Sequence, residues 1–340
     1  MISDTHTQRA AKTSTPMKRV ITPLIMMTSA LMFTSSTAVA KPTKTATKAS
    51  QTTSDHRAGV PHPFFWEVVS PRGARGYFMG TMHVPDERWE RFPPEMIRDL
   101  DQADALYTEI DLKDKASLSA QLFARAMLKG KTLKDVIGDK LYQRVDAYLK
   151  QRGQSAMYMN SMHPKMVEMT LGLLEIMPLL QSGKPALDEW LMNRARKAGK
   201  ITGGVETVDE QLDALLGGTM EEAVSSLSFT IKHLEDRSKS GIETFKLLIE
   251  AYFSGDEERV DSFMKSELKG APPALLKSMD RLLQKRNRVM AKRLMKMMDE
   301  HPNRKPVFAF GVAHFTGDES VIDLVRAKGY KVTRRFAPKR

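Results

Sequence analysis

Two histidines in this chain stand in the same local setting. Residues 76–83 read GYFMGTMH and residues 306–317 read PVFAFGVAHFTG, so His83 and His314 each close a strand-forming apolar run, three positions after Gly80 and Gly311. Two carboxylates, Glu109 in ALYTEIDL and Glu206 in KITGGVET, end runs of the same kind. Two imidazoles with one or two carboxylates form an open metal site, in which a coordination position stays free for water or substrate. Zinc, manganese, cobalt or iron suits such a set, and the ion turns water into a nucleophile near neutral pH. The competing reading is that each histidine merely ends a strand and hydrogen-bonds backbone. A single Gly-x-x-His occurs by chance, and the repeated context is what favours a shared site.

A cation belongs to the same set. Over 273–299 the spacing predicts one helix with Met279, Leu283, Met290, Leu294 and Met297 on its apolar stripe, and Arg286 falls on that stripe. A guanidinium there needs a partner. It could pair Glu109 or Glu206, or bind a substrate carboxylate or developing oxyanion, with Asn287 adding a hydrogen bond; a structural buried pair is the alternative. The methionines and His163 of MYMNSMHPKMVEM (157–169) would suit reduced copper, but methionines at helical spacing read first as adaptable core.

Residues so far apart in sequence need elements that bring them together. FFWEVVS and GYFMGT flank PRGAR as a β-hairpin; EMIRDLDQAD is a short helix burying Met96, Ile97 and Leu100; ALYTEIDL is a strand parallel to the one before the helix. From about 114 to 300 the periodicity is helical, with one interruption. An amphipathic helix over 185–198 (Leu187, Trp190, Leu191, Ala195) stops at Gly199, and KITGGVET follows as a strand. VFAFGVAH, TGDESVIDLVRAKG and YKVTRR then give strand, capped helix and strand. The expected fold is α/β, a small mixed, partly parallel sheet built from N- and C-terminal segments around a large helical middle region. Parallel strands present their C-terminal ends at one edge, which would gather His83, Glu109, Glu206 and His314.

The chain has 340 residues, net charge +12 and no cysteine, so neither disulfides nor a cysteine-linked lipid anchor is open to it. Residues 17–40 place Lys18 and Arg19 before an apolar stretch closing on Ala38-Val39-Ala40, the order of a secretory signal cleaved after Ala40. An uncleaved signal anchor is the alternative, and the expected location is periplasmic or secreted. Loss of Arg9, Lys12, Lys18, Arg19 and Asp4 would leave +9. Residues 41–60 read as a flexible linker, 61–336 as one domain and 337–340 as a basic tail. The basic residues are interspersed with acids and lack interleaved aromatics, which argues against nucleic acid as a partner. Lys277, Arg281, Lys285, Arg288, Lys292 and Lys296 would give the long helix one basic face, a solvated surface or a peripheral contact with an anionic membrane.

The order of GTMHVP, LYTEIDL, LDEWLMNRARKAGKITGGVETVDEQLDAL, KRNRVMAKRL and FAFGVAHFTGDESVIDLVRAKGYKV resembles the TraB/GumN family, which includes the animal Tiki proteins, over roughly residues 62–335. The resemblance implies a metal-dependent protease or hydrolase, and in some bacterial members control of peptide pheromones. The family's paired histidines and acid fall on His83, His314 and Glu109, which would hold the metal. This chain has Gly-Val-Glu-Thr where many members have Gly-Leu-Glu-Thr, and Gly-Val-Ala-His where Gly-Ala-Gly-His or Gly-Ala-Ala-His is usual; neither change removes a ligand. The expectation is a hydrolase acting on peptides or peptide-like substrates, with Glu206 as further ligand or base and Arg286 and Asn287 on the substrate oxygen. A metal-independent His/Glu hydrolase and a protein that sequesters a peptide without cutting it are the alternatives.

Overall fold

The computed structural model describes residues 59–338 except 112, 114 and 241–243. The expected leader, nearly all of the linker and the last two residues of the tail lie outside those described residues.

Strands β1 (Phe65–Val69) and β2 (Arg75–Thr81) form the expected hairpin, with Phe65 opposite Met79 and Val69 opposite Arg75. Helix α1 (Pro94–Gln102) buries Met96 and Leu100 and leads to β3 (Ala105–Thr108). The middle region runs through α2 (Lys115–Ala126), α3 (Leu133–Lys150), α4 (Pro164–Leu180) and α5 (Leu187–Lys197) to the short strand β4 (Ile201–Gly204). It continues through α6 (Val208–Leu216), α7 (Met220–Ser240), α8 (Thr244–Phe253), α9 (Glu257–Glu267), α10 (Pro273–Leu282) and α11 (Gln284–Glu300). Strand β5 (Pro306–Gly311), helix α12 (Val321–Arg326) and β6 (Lys331–Arg334) complete the chain's elements. Ser320 caps α12 through a capping box with Asp323.

The six strands form one sheet in the order β4-β3-β5-β2-β1-β6. The four from β4 to β2 are mutually parallel, and the hairpin and β6 add an antiparallel side. β2 and β3 point the same way, as strand-helix-strand requires, but they are not neighbours: β5 lies between them. That insertion sets the two Gly-x-x-His runs side by side, with Gly80 opposite Phe310 and Thr81 opposite Gly311. Buried on the sheet faces are Phe64, Phe65, Trp66, Phe78, Phe308, Phe310 and Phe315, none more than 2% exposed. Each ring withdrawn from water contributes on the order of 2–3 kcal/mol, so this aromatic layer fixes the strand ends in place.

Two sequence expectations need correction. The helix expected over 273–299 is two helices, because Leu283 (φ −117°, ψ −76°) leaves helical geometry between α10 and α11. The helical phase is lost there, so the buried line of α11 is Arg286, Asn287, Met290, Ala291, Leu294 and Met298, while Met279, Leu283 and Met297 are only partly covered. The break also splits the single basic face: Lys277 and Arg281 pair with Glu222, Lys285 with Asp280 and Arg288 with Glu319. The second correction concerns VFAFGVAH, whose strand stops at Gly311. Its neighbour β2 ends at Thr81, opposite Gly311, and with no ladder partner left residues 312–314 turn as a 3-10 helix that buries His314. Among the described residues no helix is long and apolar enough to cross a membrane.

Candidate functional site

Each parallel strand delivers one group to the same edge. Glu109 follows β3 directly, His83 and Glu206 stand two residues beyond β2 and β4, and His314 stands three beyond β5. Gly311 lies at the centre. A Cβ built there would sit 3.4 Å from Glu109 Oε1, 3.6 Å from His83 Nε2 and 3.8 Å from His314 Cδ2. The missing side chain therefore leaves a small hollow bordered by both imidazoles and one carboxylate oxygen, and Glu109 Oε1 is 3.7 Å from His314 Nε2.

The hydrogen bonds fix which ring nitrogen faces the hollow. Asn287 Nδ2 donates to the Glu319 carbonyl at 2.9 Å, so its Oδ1 must accept, and the group 2.6 Å away is His314 Nδ1. His314 is thus protonated at Nδ1, with a lone pair on Nε2. At His83, Nδ1 lies 2.7 Å from Asp188 Oδ2, a carboxylate that can only accept unless protonated, and Thr81 donates its hydroxyl to Asp188 Oδ1. His83 Nε2 is again the nitrogen left for the hollow. A histidine ligand whose other nitrogen is bonded to carboxylate or amide oxygen is the usual arrangement around metals.

Glu109 is held from three sides. Gly311 N–H donates to Oε1 at 2.9 Å, and Oε2 accepts from Gln211 Nε2 at 3.0 Å and Arg286 Nη2 at 2.5 Å. Arg286 also reaches Glu206, with Nη2 2.7 Å and Nε 3.0 Å from Oε2. Burial would push Glu109 up, but Arg286 and the two imidazoles outweigh it and hold the carboxyl well below the usual carboxylate range. Burial raises Glu206 against the pull of Arg286, so of the two acids Glu109 is the firmly ionised one. All six residues singled out in the sequence come together here. Glu206 meets the others through Arg286, and Asn287 acts on His314 through its Nδ1. Asp188 and Gln211 were not singled out as site residues. Asp188 stands on the buried face of α5 between Leu187 and Leu191, the same signal of a charge on an apolar stripe that marked Arg286.

The sequence matches the model of the TraB/PrgY/gumN family over residues 64–334, which takes in all six strands and all four strand-end residues. The chain belongs to the TraB/PrgY/gumN family. Similar proteins include metalloprotease TIKI1 of Xenopus tropicalis, 27% identical over 310 residues that cover 79% of this chain and 61% of that protein. Metalloprotease TIKI2 of Danio rerio is 28% identical over 311 residues, covering 79% and 60%. An uncharacterized protein of Treponema pallidum is 24% identical over 280 residues, covering 78% and 80%. This TraB/PrgY/gumN chain spans about three fifths of the length of those two Tiki relatives.

The Tiki relatives are named as metalloproteases, and the donor chemistry of this site fits a divalent ion in kind: a neutral imidazole, an imidazole that an ion could bind once its Nε2 proton is displaced, and an ionised carboxylate oxygen border one hollow. Among the described residues no group of three or more His, Asp or Glu is drawn together closely enough to hold an ion.

Two outcomes follow for the metal-free TraB/PrgY/gumN chain. Burial lowers the His314 imidazole to about 4, Glu109 only partly countering it, so the unfolded chain binds the extra proton first as pH falls. Stability should decline from about pH 6.5 to pH 4, by on the order of 3 kcal/mol at most. At His83 desolvation is outweighed by Asp188, raising the imidazole to about 9. Its contribution is constant below pH 6.5 and is lost as pH rises toward 9. Thermal midpoints against pH should peak near 6.5–7, and a flat profile between 4 and 6.5 would refute the neutral buried His314. The two glycines also separate. Gly80→Ala would set a Cβ 2.9 Å from Phe64 Cβ and 3.1 Å from Val312 Cγ2 and should cost about 1–3 kcal/mol of stability. Gly311→Ala meets only ordinary contacts, so it should fold normally yet fill the hollow and lose metal binding, as read by denaturation and metal titration.

Proposed function

We propose that this chain is a metal-dependent hydrolase that cuts peptides or peptide-like substrates at the hollow over Gly311, with His83, Glu109 and His314 as the ligands. The observation that carries this reading is that His83 Nε2, the Cδ2 edge of the His314 ring and Glu109 Oε1 all border the space a Cβ on Gly311 would fill, with each ring's Nδ1 already bonded elsewhere. The metalloprotease names of the Tiki relatives support it. A divalent ion at these residues would supply Lewis acidity and make water more acidic. Asp188 with Thr81 sets the His83 ring, Asn287 sets the His314 ring, and Gly311 N–H, Gln211 and Arg286 hold Glu109 ionised. Glu206 balances the Arg286 charge, a positioning role in place of the base or ligand role considered from sequence. His83 is the exposed member, its side chain 44% accessible against 5% for His314, so substrate enters on the His83 side. The leader at 17–40 supports export to the periplasm or medium, where an envelope or extracellular peptide would be the substrate.

The test is metal content by mass spectrometry with a broad peptide-cleavage screen, before and after chelation. Cleavage that stops with chelator and returns with one of zinc, manganese, cobalt or iron is the expected result. Cleavage that survives complete metal removal would place the chemistry on histidine and carboxylate alone, and stoichiometric peptide binding without turnover would identify a sequestering protein.

A further inference from the structure

We infer that this chain carries a second ligand site, for a phosphate-bearing polyanion, at the end of the sheet opposite the hollow. Pro71, Arg72, Lys292, Met295, Lys296, Asp299, Glu300, Lys328 and Tyr330 line an open cleft of about 600 Å³. It lies where the parallel strands begin: Arg72 is in the turn before β2, Lys292 and Lys296 are in the last three turns of α11 before β5, and Lys328 precedes β6, whose Lys331 pairs with Val69. Four cations from three separate segments thus face one concavity, against two acids.

Helix dipoles do not account for all four. Cations gather naturally at helix C-termini, but that effect fades within the final turn. Lys328 stands just past the end of α12 and fits it, whereas the last turn of α11 holds no basic residue. Lys292 is two turns inside α11, and Arg72 belongs to no helix. Nor does pairing account for them. Lys277 and Arg281 on α10 and Lys285 and Arg288 at the start of α11 all have carboxylate partners, and Lys296 pairs with Glu300 at 3.6 Å. Arg72, Lys292 and Lys328 are exposed and make no ion pair among the described residues. Like charges held together without partners repel one another, and an anion with several charges relieves that repulsion. Lysine supplies point charges and Arg72 a planar fork, the pair of donors that phosphate groups take. The half-buried Met295 and buried Tyr330 give the cleft an apolar floor, which suits a phosphorylated headgroup as well as free polyphosphate. Since the hollow over Gly311 is at the far edge, ligand here would anchor the protein with its site turned outward.

The experiment uses the purified mature chain, sodium tripolyphosphate in calorimetric titration, and flotation with vesicles of phosphatidylglycerol or of phosphatidylcholine. The variant is R72Q/K292Q/K328Q, compared with K140Q/K197Q/K269Q, which removes the same charge from exposed lysines elsewhere. Expected is binding to tripolyphosphate, to phosphatidylglycerol vesicles or to both, weakened at least tenfold in the first variant and less than threefold in the control, with thermal midpoints and any peptide cleavage unchanged. Vesicle binding without tripolyphosphate binding assigns a bilayer as the source, and the reverse assigns a soluble polyanion. Equal loss in both variants would reduce the effect to net charge and overturn the site, as would the absence of binding to either probe. Arg72→Gln alone, on an exposed turn, guards against a misfolded triple variant and should still weaken binding.

Discussion

With His83 and His314 holding one ion as proposed, replacing either by alanine should remove most of that metal and at least about a hundredfold of the proposed hydrolysis, while the double replacement should cost little more. Residues that act as one unit are strongly non-additive, since the first loss already disables the unit. The structure gives this expectation its basis, because both imidazole rings border the one hollow over Gly311 and His314 Nε2 lies 3.7 Å from Glu109 Oε1. The fold should survive, as the aromatic layer and the strand pairing are untouched. Histidines that only capped strand ends would behave otherwise. Each change would then cost about 1 kcal/mol through a lost hydrogen bond, the costs would add, and metal content would not move. Metal stoichiometry, turnover and thermal midpoint for the two single variants and the double variant separate these cases, and additive stability losses with unchanged metal would defeat the shared site.

The second large effect belongs to Arg286. Its side chain is 10% exposed and bridges Glu109 and Glu206, whose side chains are 11% and 2% exposed. Arg286→Met keeps the bulk and strands two buried carboxylates beside each other, which should destabilise the protein by about 3–5 kcal/mol. Arg286→Lys keeps the charge but has no planar fork to reach both acids, so it should recover only part of that loss and little activity. Adding Glu206→Gln to Arg286→Met should restore stability, because one charge is removed, but not activity. Urea denaturation at pH 7.5 is the measurement. A loss below about 1 kcal/mol for Arg286→Met would mean that water screens the acids and would sink the assignment of a buried charge bridge.

Much of this arrangement was legible in the sequence because it follows from local rules. The strand-forming apolar runs, the turn residues of PRGAR and the capped helix in TGDESVIDLVRAKG pointed to the strands and the helix, and parallel topology then placed His83, Glu109, Glu206 and His314 at one edge. What was not legible depends on partners distant in sequence. Nothing local says that β5 inserts between β2 and β3, or that Leu283 breaks the helical run, since both depend on which surfaces must be buried together. Arg286 was correctly marked as needing a carboxylate, and it took the structure to show that it holds two. Asn287 was expected on a substrate oxygen, and the structure adds what the sequence did not show, that its amide bridges His314 Nδ1 and the Glu319 carbonyl. The basic face read along a single helix is split for the same reason, five of its six cations pairing with acids while Lys292, among the described residues, does not: charge neutralisation is decided across elements.

The insertion of β5 between β2 and β3 also has a consequence in time. His83 and Glu109 are made first, and the strand that joins them, with the glycine and histidine that complete the hollow, follows only some 200 residues later in the chain. Until that strand docks, β2 and β3 face each other across a gap one strand wide, with their inner edges unpaired. The site is therefore incomplete until β5 has been made and has docked between its two neighbours. The same order makes the final step a long-range closure across some 230 residues, a slow kind of step in folding, and leaves the nascent protein dependent on whatever shields those open edges in the interval.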